Sequence, residues 1–507
     1  MGLFHLALFL YLVSPLSFVL SQDVEHGSVN VDGAQSIADT DENFICATID
    51  WWPQDKCDYN NCPWGNTSIV NLDLSQPLLA KAIQGLKPLR IRIGGSLQDQ
   101  VLYEVGYLKS PCQPFKKKNG GLFGFSNGCL QMERWDEINQ FFNKTGAILT
   151  FGLNALNGRH KTKHSTWVGD WDPTNAHDLI NYTISKGYNI DSWEFGNELS
   201  GKGIGANVGP IQYGKDLIKL KQIVNTMYDN HNFKPSLIAP GGFYDKDWFD
   251  KLLQVTGSGV VNALTHHIYN LGPGSDVNLD SKILDPDRLS KVESVFSNMS
   301  ETVKKYGPWS NAWVGEAGGA YNSGGLGISD TFVNSFCALL WNQLMGKKVL
   351  SASSDVFSPF LRTYAHCSKG RDGVTFLLIN LSNKTHFLLT IHDREAKEDD
   401  GAKHILKENS FSSHIKSAFS WVGTKASDVT FREEYHLTPK DGYLRSQTML
   451  LNGNPLELTH AGEIPSLDPV KSDVHSPLHI APLSIVFIVY PNFDAPACAL
   501  EHKKTLF

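Results

Sequence analysis

Two stretches of the sequence end in a glutamate that could transfer a proton or attack an electrophilic carbon. The first, WEFGNE, spans residues 193–198, and the second, WVGE, spans residues 313–316. In each, aromatic and apolar residues typical of a buried strand lead to a glycine, and Glu198 or Glu316 follows where the strand should open into a loop. Chemistry in parallel α/β proteins gathers at the C-terminal ends of strands, so both glutamates are candidate acids or bases.

Two carboxylates at one rim are the minimal equipment for splitting a glycosidic bond. One, held protonated, gives a proton to the leaving oxygen, while the other attacks the anomeric carbon or activates water. Asn197, next to Glu198, suits donation of a hydrogen bond to the sugar 2-hydroxyl. Structural ion pairs are the alternative role for Glu198 and Glu316, and their matched strand–glycine–glutamate contexts favour catalysis.

Polar residues also stand at the ends of other predicted strands. His266 and His267 end the sixth strand, and only one of two successive side chains can face the lumen. A histidine there could hold the nucleophile or contact a sugar hydroxyl. Asp50 closes the first strand, and two glycines followed by Ser96 close the second. The aromatic residues beside Asp50 could contact the apolar face of a sugar or pack within the barrel, and the sequence favours neither role.

Three further features are weaker indications of a site. The loop YNSGG, residues 321–325, could offer backbone N–H groups to an anion, although a flexible loop would have the same composition. Arg90 and Arg92 alternate along the second strand, and we expect them to pair with barrel carboxylates ahead of a ligand. No His or Cys spacing matches a zinc site, so the sequence predicts neither a metal nor a cofactor.

Apolar runs separated by amphipathic stretches predict repeated βα units. The predicted strands are 44–50, 89–94, 147–153, 192–196, 236–239, 263–269 and 312–315. Seven strands are one fewer than a closed barrel needs, and only one helix, 329–344, fits between the seventh strand and the next domain. From about residue 348 the pattern changes to strands and turns, which indicates an antiparallel β-sandwich. The predicted fold is α/β plus β, with a (β/α)8-type barrel domain at 40–347 and a β-sandwich at 348–495.

The composition limits the partners and the compartment. The 507 residues carry a formal net charge of -7, and their largest basic cluster is 116–118, which argues against nucleic acid. The apolar run at 3–20 predicts a signal peptide at 1–22, with an uncleaved anchor as the alternative. Eight cysteines are disulfide candidates, with short loops for Cys57–Cys62 and Cys112–Cys129 and a domain-spanning link for Cys367–Cys498. Six sequons predict N-glycosylation at Asn66, Asn143, Asn181, Asn298, Asn380 and Asn383.

The longer motifs resemble one family. WEFGNELSG, ANVGPIQYGKDL, THHIYNLG, WVGEAGGAYNSGG and SDTF are similar to plant heparanase-like proteins, in the retaining glycoside hydrolase family of heparanase and β-glucuronidases. The resemblance implies Glu198 as the acid/base and Glu316 as the nucleophile. It also implies that the isolated strand within residues 27–36 joins the β-sandwich. The substrate contacts that it implies are Asp50, Ser96, Asn197, His266 and the loop residues Tyr321, Asn322 and Ser323.

The resemblance further implies a substrate and a location. The expected substrates are polysaccharides or proteoglycan glycans that contain glucuronic acid, cleaved by a monomer. The expected route is the secretory pathway to the extracellular space or cell wall. A lysosome or vacuole, with peripheral membrane association, is the alternative destination.

One departure from the family affects the activity. In the family, the helix that begins near SDTF is followed by another barrel strand and a second helix. Around residues 336–338 this chain passes directly from the first helix into the end of the second. A segment of about forty residues that holds strand eight is therefore absent. The missing strand leaves two barrel edges unpaired. An inactive or glycan-binding variant is therefore the alternative to a β-glucuronidase. A barrel glycosidase for neutral sugars is the other enzyme that the rim glutamates allow.

Overall fold

The computed structural model describes residues 23–162, 165–335, 337–393 and 431–499. The predicted signal peptide at 1–22 lies outside these residues. Strands of the first two thirds of the chain are β1 Asp23–Asp39, β2 Cys46–Ile49, β3 Arg90–Ile93, β4 Val101–Tyr103, β5 Gly128–Leu130, β6 Ile148–Leu153, β7 His160–Lys161, β8 Trp167–Val168, β9 Ser192–Phe195, β10 Ser236–Phe243, β11 Ala263–Pro273 and β12 Asn311–Tyr321.

Later strands form the second domain, and helices lie mainly between the parallel strands. The strands are β13 Met345–Ser354, β14 Leu361–Ser368, β15 Val374–Asn380, β16 Thr385–Asp393, β17 Phe431–Pro439, β18 Met449–Leu451, β19 Asn454–Pro455, β20 Val470–Asp473, β21 Leu478–Ile480 and β22 Ser484–Tyr490. The α-helices are Pro77–Gly85, Met132–Thr145, Thr174–Ser185, Pro210–Met227, Lys246–Thr256, Leu279–Ile283, Pro286–Ser290, Val292–Tyr306 and Ala338–Leu344.

Seven parallel strands form the barrel sheet in the order β12-β11-β10-β9-β6-β3-β2. All seven predicted strands are confirmed, with the last three extending four to six residues beyond their predicted C-terminal ends. Each step from one strand to the next carries at least one helix, as right-handed βα units require. All four residues of β9 are buried, including Glu194, so this strand lies inside the barrel sheet.

The barrel is open between its first and last strands. In the described residues β2 and β12 are the two edges and are not paired with each other. Cys46, Ala47 and Thr48 of β2 are exposed. The helix predicted at 329–344 is wrong in its first half: a 3-10 turn occupies Phe332–Asn334, and the α-helix begins only at Ala338. An exposed parallel edge is unusual because it leaves backbone groups unpaired.

The second sheet begins where the barrel ends and also includes the N-terminal strand. β1 pairs antiparallel with β13 and parallel with β16, so the sheet is mixed and not purely antiparallel. This placement confirms the expected joining of the N-terminal strand to the β domain. One face of the sheet has its own apolar core. The other face packs Phe487 and Leu437 with Leu340 and Leu344 of the helix Ala338–Leu344.

The predicted disulfides are confirmed. Sulfur–sulfur bonds join Cys57–Cys62, Cys112–Cys129 and Cys367–Cys498, and Cys46 and Cys337 remain as free thiols. No α-helix in the described ranges is long and apolar enough to cross a membrane.

One of the six sequons is contradicted by the fold. Asn380 is 1% exposed, and its Nδ2 donates to the carbonyl oxygens of Thr385 at 2.8 Å and Ala481 at 2.9 Å. A glycan on this nitrogen would remove both hydrogen bonds and require space inside the β domain, so Asn380 is not an acceptor in the folded chain. The other five sequon asparagines, Asn66, Asn143, Asn181, Asn298 and Asn383, are exposed, and their glycosylation stays a prediction.

Candidate active site

Glu198 lies just beyond the C-terminal end of β9 in an uncommon backbone conformation. Its φ is 53°, and non-glycine residues in this left-handed region cluster at functional sites because the surrounding structure must hold them there. The backbone N–H of Glu198 donates to the carbonyl of Gly241 on β10 at 2.7 Å, and Ile204 donates to the Glu198 carbonyl at 3.0 Å. These bonds hold the carboxylate 7% exposed at the mouth of the barrel.

Glu316 reaches the same mouth because β12 contains a bulge. In the pairing of β11 with β12, His266 stands opposite Val314, but His267 stands opposite Glu316, so Gly315 is the additional residue. A bulge of this kind re-aims the side chain that follows it. A Cβ on Gly315 would lie 3.2 Å from the His267 ring, which explains why this position takes a glycine.

The two glutamates lie close together with one histidine between them. Nδ1 of His267 is hydrogen-bonded to Oε1 of Glu198 at 3.1 Å and lies 3.7 Å from Oε2 of Glu316. One oxygen of each carboxylate and the imidazole nitrogen all lie within 4.8 Å of one another. Burial disfavours the imidazolium, but the charge of Glu316 and the bond with Glu198 outweigh it and raise the pKa of His267.

The structure corrects the choice of His266 as the substrate contact. Its Nδ1 is hydrogen-bonded to the carbonyl of Trp313 at 3.1 Å, and its ring packs against Phe296 of the outer helix Val292–Tyr306. Burial lowers the pKa of His266 to about 4. Successive side chains on a strand face opposite sides, and here the inward one belongs to His267.

Arg92 connects three strands at the base of the site. Its guanidinium donates to Glu194 at 2.6 Å, to Glu316 at 2.7 Å and to Oδ1 of Asn197 at 2.8 Å. The prediction that Arg90 and Arg92 pair with barrel carboxylates is therefore confirmed, since Arg90 also contacts a carboxylate, that of Asp191. A planar fork with fixed donors suits such multiple contacts better than a flexible ammonium group.

Glu316 is held ionised by its neighbours. Burial alone would raise its pKa, but the charges of His267 and Arg92, with hydrogen bonds from Tyr269 and Arg92, lower the pKa to about 2. The Tyr269 hydroxyl donates to Oε2 of Glu316 at 3.0 Å. A carboxylate that stays ionised and has both oxygens oriented suits a nucleophile.

Asp50 lies beside this pair at the end of β2. Its Oδ1 accepts the backbone N–H of Trp51 at 2.6 Å. Burial and the negative charge of Glu316 raise the pKa of Asp50 to about 8 despite that bond, so its carboxyl group is largely protonated at neutral pH and can donate a hydrogen bond. A Cβ on Gly95 would lie 2.1 Å from Oδ2 of Asp50. The glycine before the partly buried Ser96 therefore makes room for this aspartate.

Asn197 is oriented from two sides. Because Arg92 can only donate, Oδ1 of Asn197 faces it, and the amide NH2 is the end left for a ligand. The backbone N–H of Asn197 donates to Oδ2 of Asp99 at 2.8 Å, and Oδ1 of Asp99 accepts from Ala155 at 2.7 Å. Burial raises the pKa of Asp99 to about 7 even though these two bonds favour its ionised form.

The loop after β12 lies at the same mouth, but its side chains are already occupied. The hydroxyl of Ser323 donates to Asp58 at 2.6 Å and accepts from Trp64 at 3.0 Å, and Nδ2 of Asn322 donates to the Tyr59 hydroxyl at 3.1 Å. The structure therefore leaves the backbone of Asn322 and Ser323, and not their side chains, as the group open to a substrate. The Tyr321 side chain is 41% exposed at the rim.

The same cluster contains the atoms that a metal ion would need. In the described ranges, Glu198, His267 and Glu316 form the group whose ligand atoms converge closely enough to hold a cation. Imidazole nitrogen and carboxylate oxygens are ligands that zinc accepts. The three groups are also what proton transfer and nucleophilic attack require. That catalytic role accounts for the contacts of Arg92 and Tyr269 with Glu316.

Sequence reasoning missed three contributors, Tyr269, Asp99 and Glu194, and left His267 open as one of two histidines that could face the site. His267 and Tyr269 follow His266 in HHIY. The choice between the two histidines needed the knowledge of which side chains of the strand point into the lumen. Asp99 follows the second strand by six residues, in a 3-10 turn that had no motif. Glu194 is central in WEFGNE, and its burial opposite Arg92 could have been inferred from a charge inside an apolar strand.

Comparisons with known proteins show the family to which the chain belongs. The family described as "Glycosyl hydrolase family 79, N-terminal domain" matches residues 26–344. The chain is 53% identical to heparanase-like protein 2 of Arabidopsis thaliana, over 97% of this chain and 98% of that protein. It is 36% identical to baicalin-beta-D-glucuronidase of Scutellaria baicalensis, over 90% of each chain. The alignment with the Arabidopsis protein has 538 positions, more than the 507 residues of this chain, so the relative has residues for which this chain has none.

Solved structures give the same architecture. A GH51 alpha-L-arabinofuranosidase from Thermotoga petrophila superimposes with a TM-score of 0.57 at 13% identity, over 92% of this chain and 100% of that chain. An identity this low shows the fold alone, which is a (β/α)8-type barrel with a C-terminal β domain. The sequence matches go further: this chain belongs to glycosyl hydrolase family 79 as a plant heparanase-like glycoside hydrolase.

Proposed function

We propose that this enzyme is a retaining β-glucuronidase that acts on glycans containing glucuronic acid, with Glu198 as acid/base and Glu316 as nucleophile. The spacing of the two carboxylates carries the proposal. Their nearest oxygens lie within 4.8 Å, close to the separation of about 5–5.5 Å in retaining enzymes and below the 6.5–9.5 Å or so in inverting ones. Inverting enzymes need the wider separation because a water molecule must reach the sugar beside the base.

The reaction has two steps. Glu198 gives its proton to the glycosidic oxygen while an oxygen of Glu316 attacks the anomeric carbon, and the bond from that carbon to the leaving oxygen breaks. Glu198, now ionised, takes a proton from water, whose oxygen attacks the same carbon and releases Glu316. Arg92 and Tyr269 keep the Glu316 oxygens oriented in both steps. The amide NH2 of Asn197 suits the sugar 2-hydroxyl.

Three features support a glucuronide as the substrate. A relative at 36% identity is named as a glucuronidase. The backbone turn 322–324 lies at the mouth, where its N–H groups suit a carboxylate. Asp50, with its raised pKa, adds a donor at the end of β2.

Purified enzyme and aryl glycosides test the proposal. The aryl glucuronide should be hydrolysed, the aryl glucoside rejected, and the first-formed sugar should keep the β configuration by NMR. Glu316→Gln should abolish turnover with folding intact, while Glu301→Gln, an exposed glutamate on the outer helix, should change nothing. Unchanged turnover by Glu316→Gln, or preference for the glucoside, would refute the assignment.

Glu198→Gln tests the acid/base separately. This variant should no longer hydrolyse glucuronides with poor leaving groups. It should still carry out the first step on an activated aryl glucuronide, because a good leaving group needs no proton. Added azide should then restore turnover and give a glucuronyl azide of β configuration. An α azide would contradict retention, and no rescue would contradict the role of Glu198.

The open barrel edge favours a second candidate, a glycan-binding protein without hydrolytic activity. In the described residues β2 and β12 have no parallel neighbour on one side, and an unpaired frame positions catalytic groups less firmly. A thermal melt with the aryl-glucuronide assay separates the candidates. Cooperative unfolding without turnover, together with a melt raised by glucuronic acid, would favour the binding protein.

We also propose export through the secretory pathway. The apolar run at 3–20, three disulfides and five exposed sequons support it. Expression in a eukaryotic cell should release a glycoprotein whose mass falls on N-glycan digestion. Asn66→Gln should remove one glycan, whereas Asn380→Gln should remove none. Retention of an unmodified chain in the cytosol would refute export.

A further inference from the structure

The two edge strands of the barrel are joined at the mouth by their loops. The backbone ladder does not connect β2 with β12 in the described residues. The loop after β2 nevertheless contacts the loop after β12 through Ser323, which donates to Asp58 at 2.6 Å and accepts from Trp64 at 3.0 Å, and through Asn322, which donates to Tyr59 at 3.1 Å. We call these three hydrogen bonds the mouth bridge.

The loop on the β2 side of the bridge is held by its own bonds, independently of the mouth bridge. Cys57 and Cys62 form a disulfide around a tight turn, in which the backbones of Asp58 and Asn61 exchange hydrogen bonds of 2.8 Å. Lys56 forms an ion pair with Asp58 at 2.8 Å, and the Asp58 side chain is only 12% exposed. A fixed and largely sheltered carboxylate makes a stronger acceptor than a mobile one in water.

The β12 side has a conformation that needs external support. Asn322, Ser323 and Gly324 have φ values of 59°, 66° and 71°. Three successive left-handed residues, two of which carry a Cβ, are unfavourable unless other contacts hold them. The bridge provides such contacts to both non-glycine residues.

This turn has free backbone donors at the end of the strand that carries Glu316. In the described part of the chain, no backbone or side-chain hydrogen bond uses the N–H of residues 322–324, whereas Gly325 donates to Ser329. Glu316 lies on the strand that leads into the turn. Consecutive free N–H groups in a turn form an anion-binding concavity.

We propose that Asp58, Tyr59 and Trp64 are positioning residues, and that the mouth bridge holds the 322–324 turn in its anion-binding conformation across the open edge of the barrel. The inference rests on the proposed function for the identity of the anion, the substrate carboxylate. It goes beyond that function because it makes the affinity for the substrate depend on the disulfide-closed loop after β2, the other edge strand of the barrel.

The kinetic test separates positioning from chemistry. Ser323→Ala, Tyr59→Phe and Trp64→Phe each remove bridge hydrogen bonds without touching Glu198 or Glu316. Each should raise KM for an aryl glucuronide, by about tenfold for Ser323→Ala, while kcat stays within about threefold. Ser185→Ala, at an exposed serine that ends the helix Thr174–Ser185, and Tyr364→Phe, at an exposed tyrosine on β14 of the β domain, serve as matched controls. Unchanged KM in Ser323→Ala, or a fall in kcat alone, would overturn the proposal.

A second measurement needs no activity. Amide hydrogen exchange of the 321–325 segment should be faster in Asp58→Ala and in Cys57→Ser/Cys62→Ser than in the wild type, while the strand Ser192–Phe195 stays equally protected. The double variant Ser323→Ala/Asp58→Ala should exchange no faster than Ser323→Ala alone, since Ser323→Ala already removes the only bridge bond that Asp58 makes. An unchanged exchange rate of the 321–325 segment in these variants would overturn the proposal that the mouth bridge holds the turn.

The two readouts keep this inference distinct from the proposed function. If the wild type hydrolyses the glucuronide, Glu316→Gln does not, and Ser323→Ala has wild-type KM, the function stands and the bridge fails. If the wild type hydrolyses no glucuronide, the function fails, and hydrogen exchange alone decides whether the bridge holds the turn.

Discussion

Arg92 on β3 donates through Nη1 to Oε1 of Glu316 on β12 at 2.7 Å, across the full width of the barrel. The two strands are separated by four others in the sheet, so the contact runs through the lumen. The same guanidinium binds Glu194 and Asn197. One buried cation therefore fixes the proposed nucleophile Glu316, the buried carboxylate of Glu194 and the amide beside Glu198.

Replacement of Arg92 should change the acid limb of the pH–rate profile. Lysine keeps the charge but cannot make three directed contacts, so Arg92→Lys should raise the pKa of Glu316 from about 2 and move the acid limb of kcat/KM to higher pH. We also expect kcat/KM to fall by about 10–100-fold, since hydrogen bonds to charged groups are lost.

Arg90→Lys is the matched control for that experiment. Arg90 lies on the same strand and pairs with Asp191 but does not touch Glu316. Its substitution should leave the acid limb in place. An acid limb that Arg92→Lys does not move would contradict the control of Glu316 by Arg92.

The histidine pair provides a second comparison. His267→Gln removes the imidazole charge that lowers the pKa of Glu316 and the bond to Glu198, and we expect kcat to fall by about 100-fold. His266→Gln alters a side chain that faces the outer helix, and we expect kcat within about threefold. Steady-state rates on the aryl glucuronide measure both. A larger effect at His266 would contradict the orientation of β11.

The stability of the protein should respond to Asp50. The folded pKa of this group is raised to about 8, so the folded state binds more protons than the unfolded state between the ordinary aspartate value near 3.9 and that pH. Its contribution to stability is therefore full at low pH and is lost as the pH rises towards 8. We expect the free energy of unfolding of the wild type, relative to Asp50→Asn, to fall by on the order of 1–3 kcal/mol from pH 5 to pH 8.

Urea unfolding of both proteins at several pH values checks this prediction. The difference between wild type and Asp50→Asn cancels the titration of groups that the substitution leaves alone. A difference that stays constant, or that grows in favour of the wild type as the pH rises, would contradict a protonated Asp50 in the folded state.

The open edge of the barrel should be accessible to reagents. Cys46 lies exposed on β2, and Cys337 is buried, while the six other cysteines form disulfides. A maleimide should label native protein once, at Cys46, and label Cys337 only after unfolding. Peptide mass mapping identifies the site, and Cys46→Ser should abolish native labelling. Protection of Cys46 would show that the edge is covered.

Several features were predictable because they depend on local pattern. Seven barrel strands, the glycine–glutamate endings and the short disulfide loops are properties of neighbouring residues, and the structure has all of them. The helix expected at 329–344 was wrong because its first half continues into irregular structure at Phe332–Asn334. Composition alone did not distinguish that segment from a helix.

The sequence by itself determined the barrel strands, the pair Glu198 and Glu316, and the missing eighth strand, since each follows from residue order and period. Only the tertiary structure decided that His267 and not His266 faces the site, that Asn380 is buried, and that loops bridge the open edge. For the histidines the physical reason is strand register: the pairing of β11 with β12 places His267, and not His266, opposite Glu316, with Gly315 as the bulged residue. Register is set by pairing between distant strands, which no local pattern records.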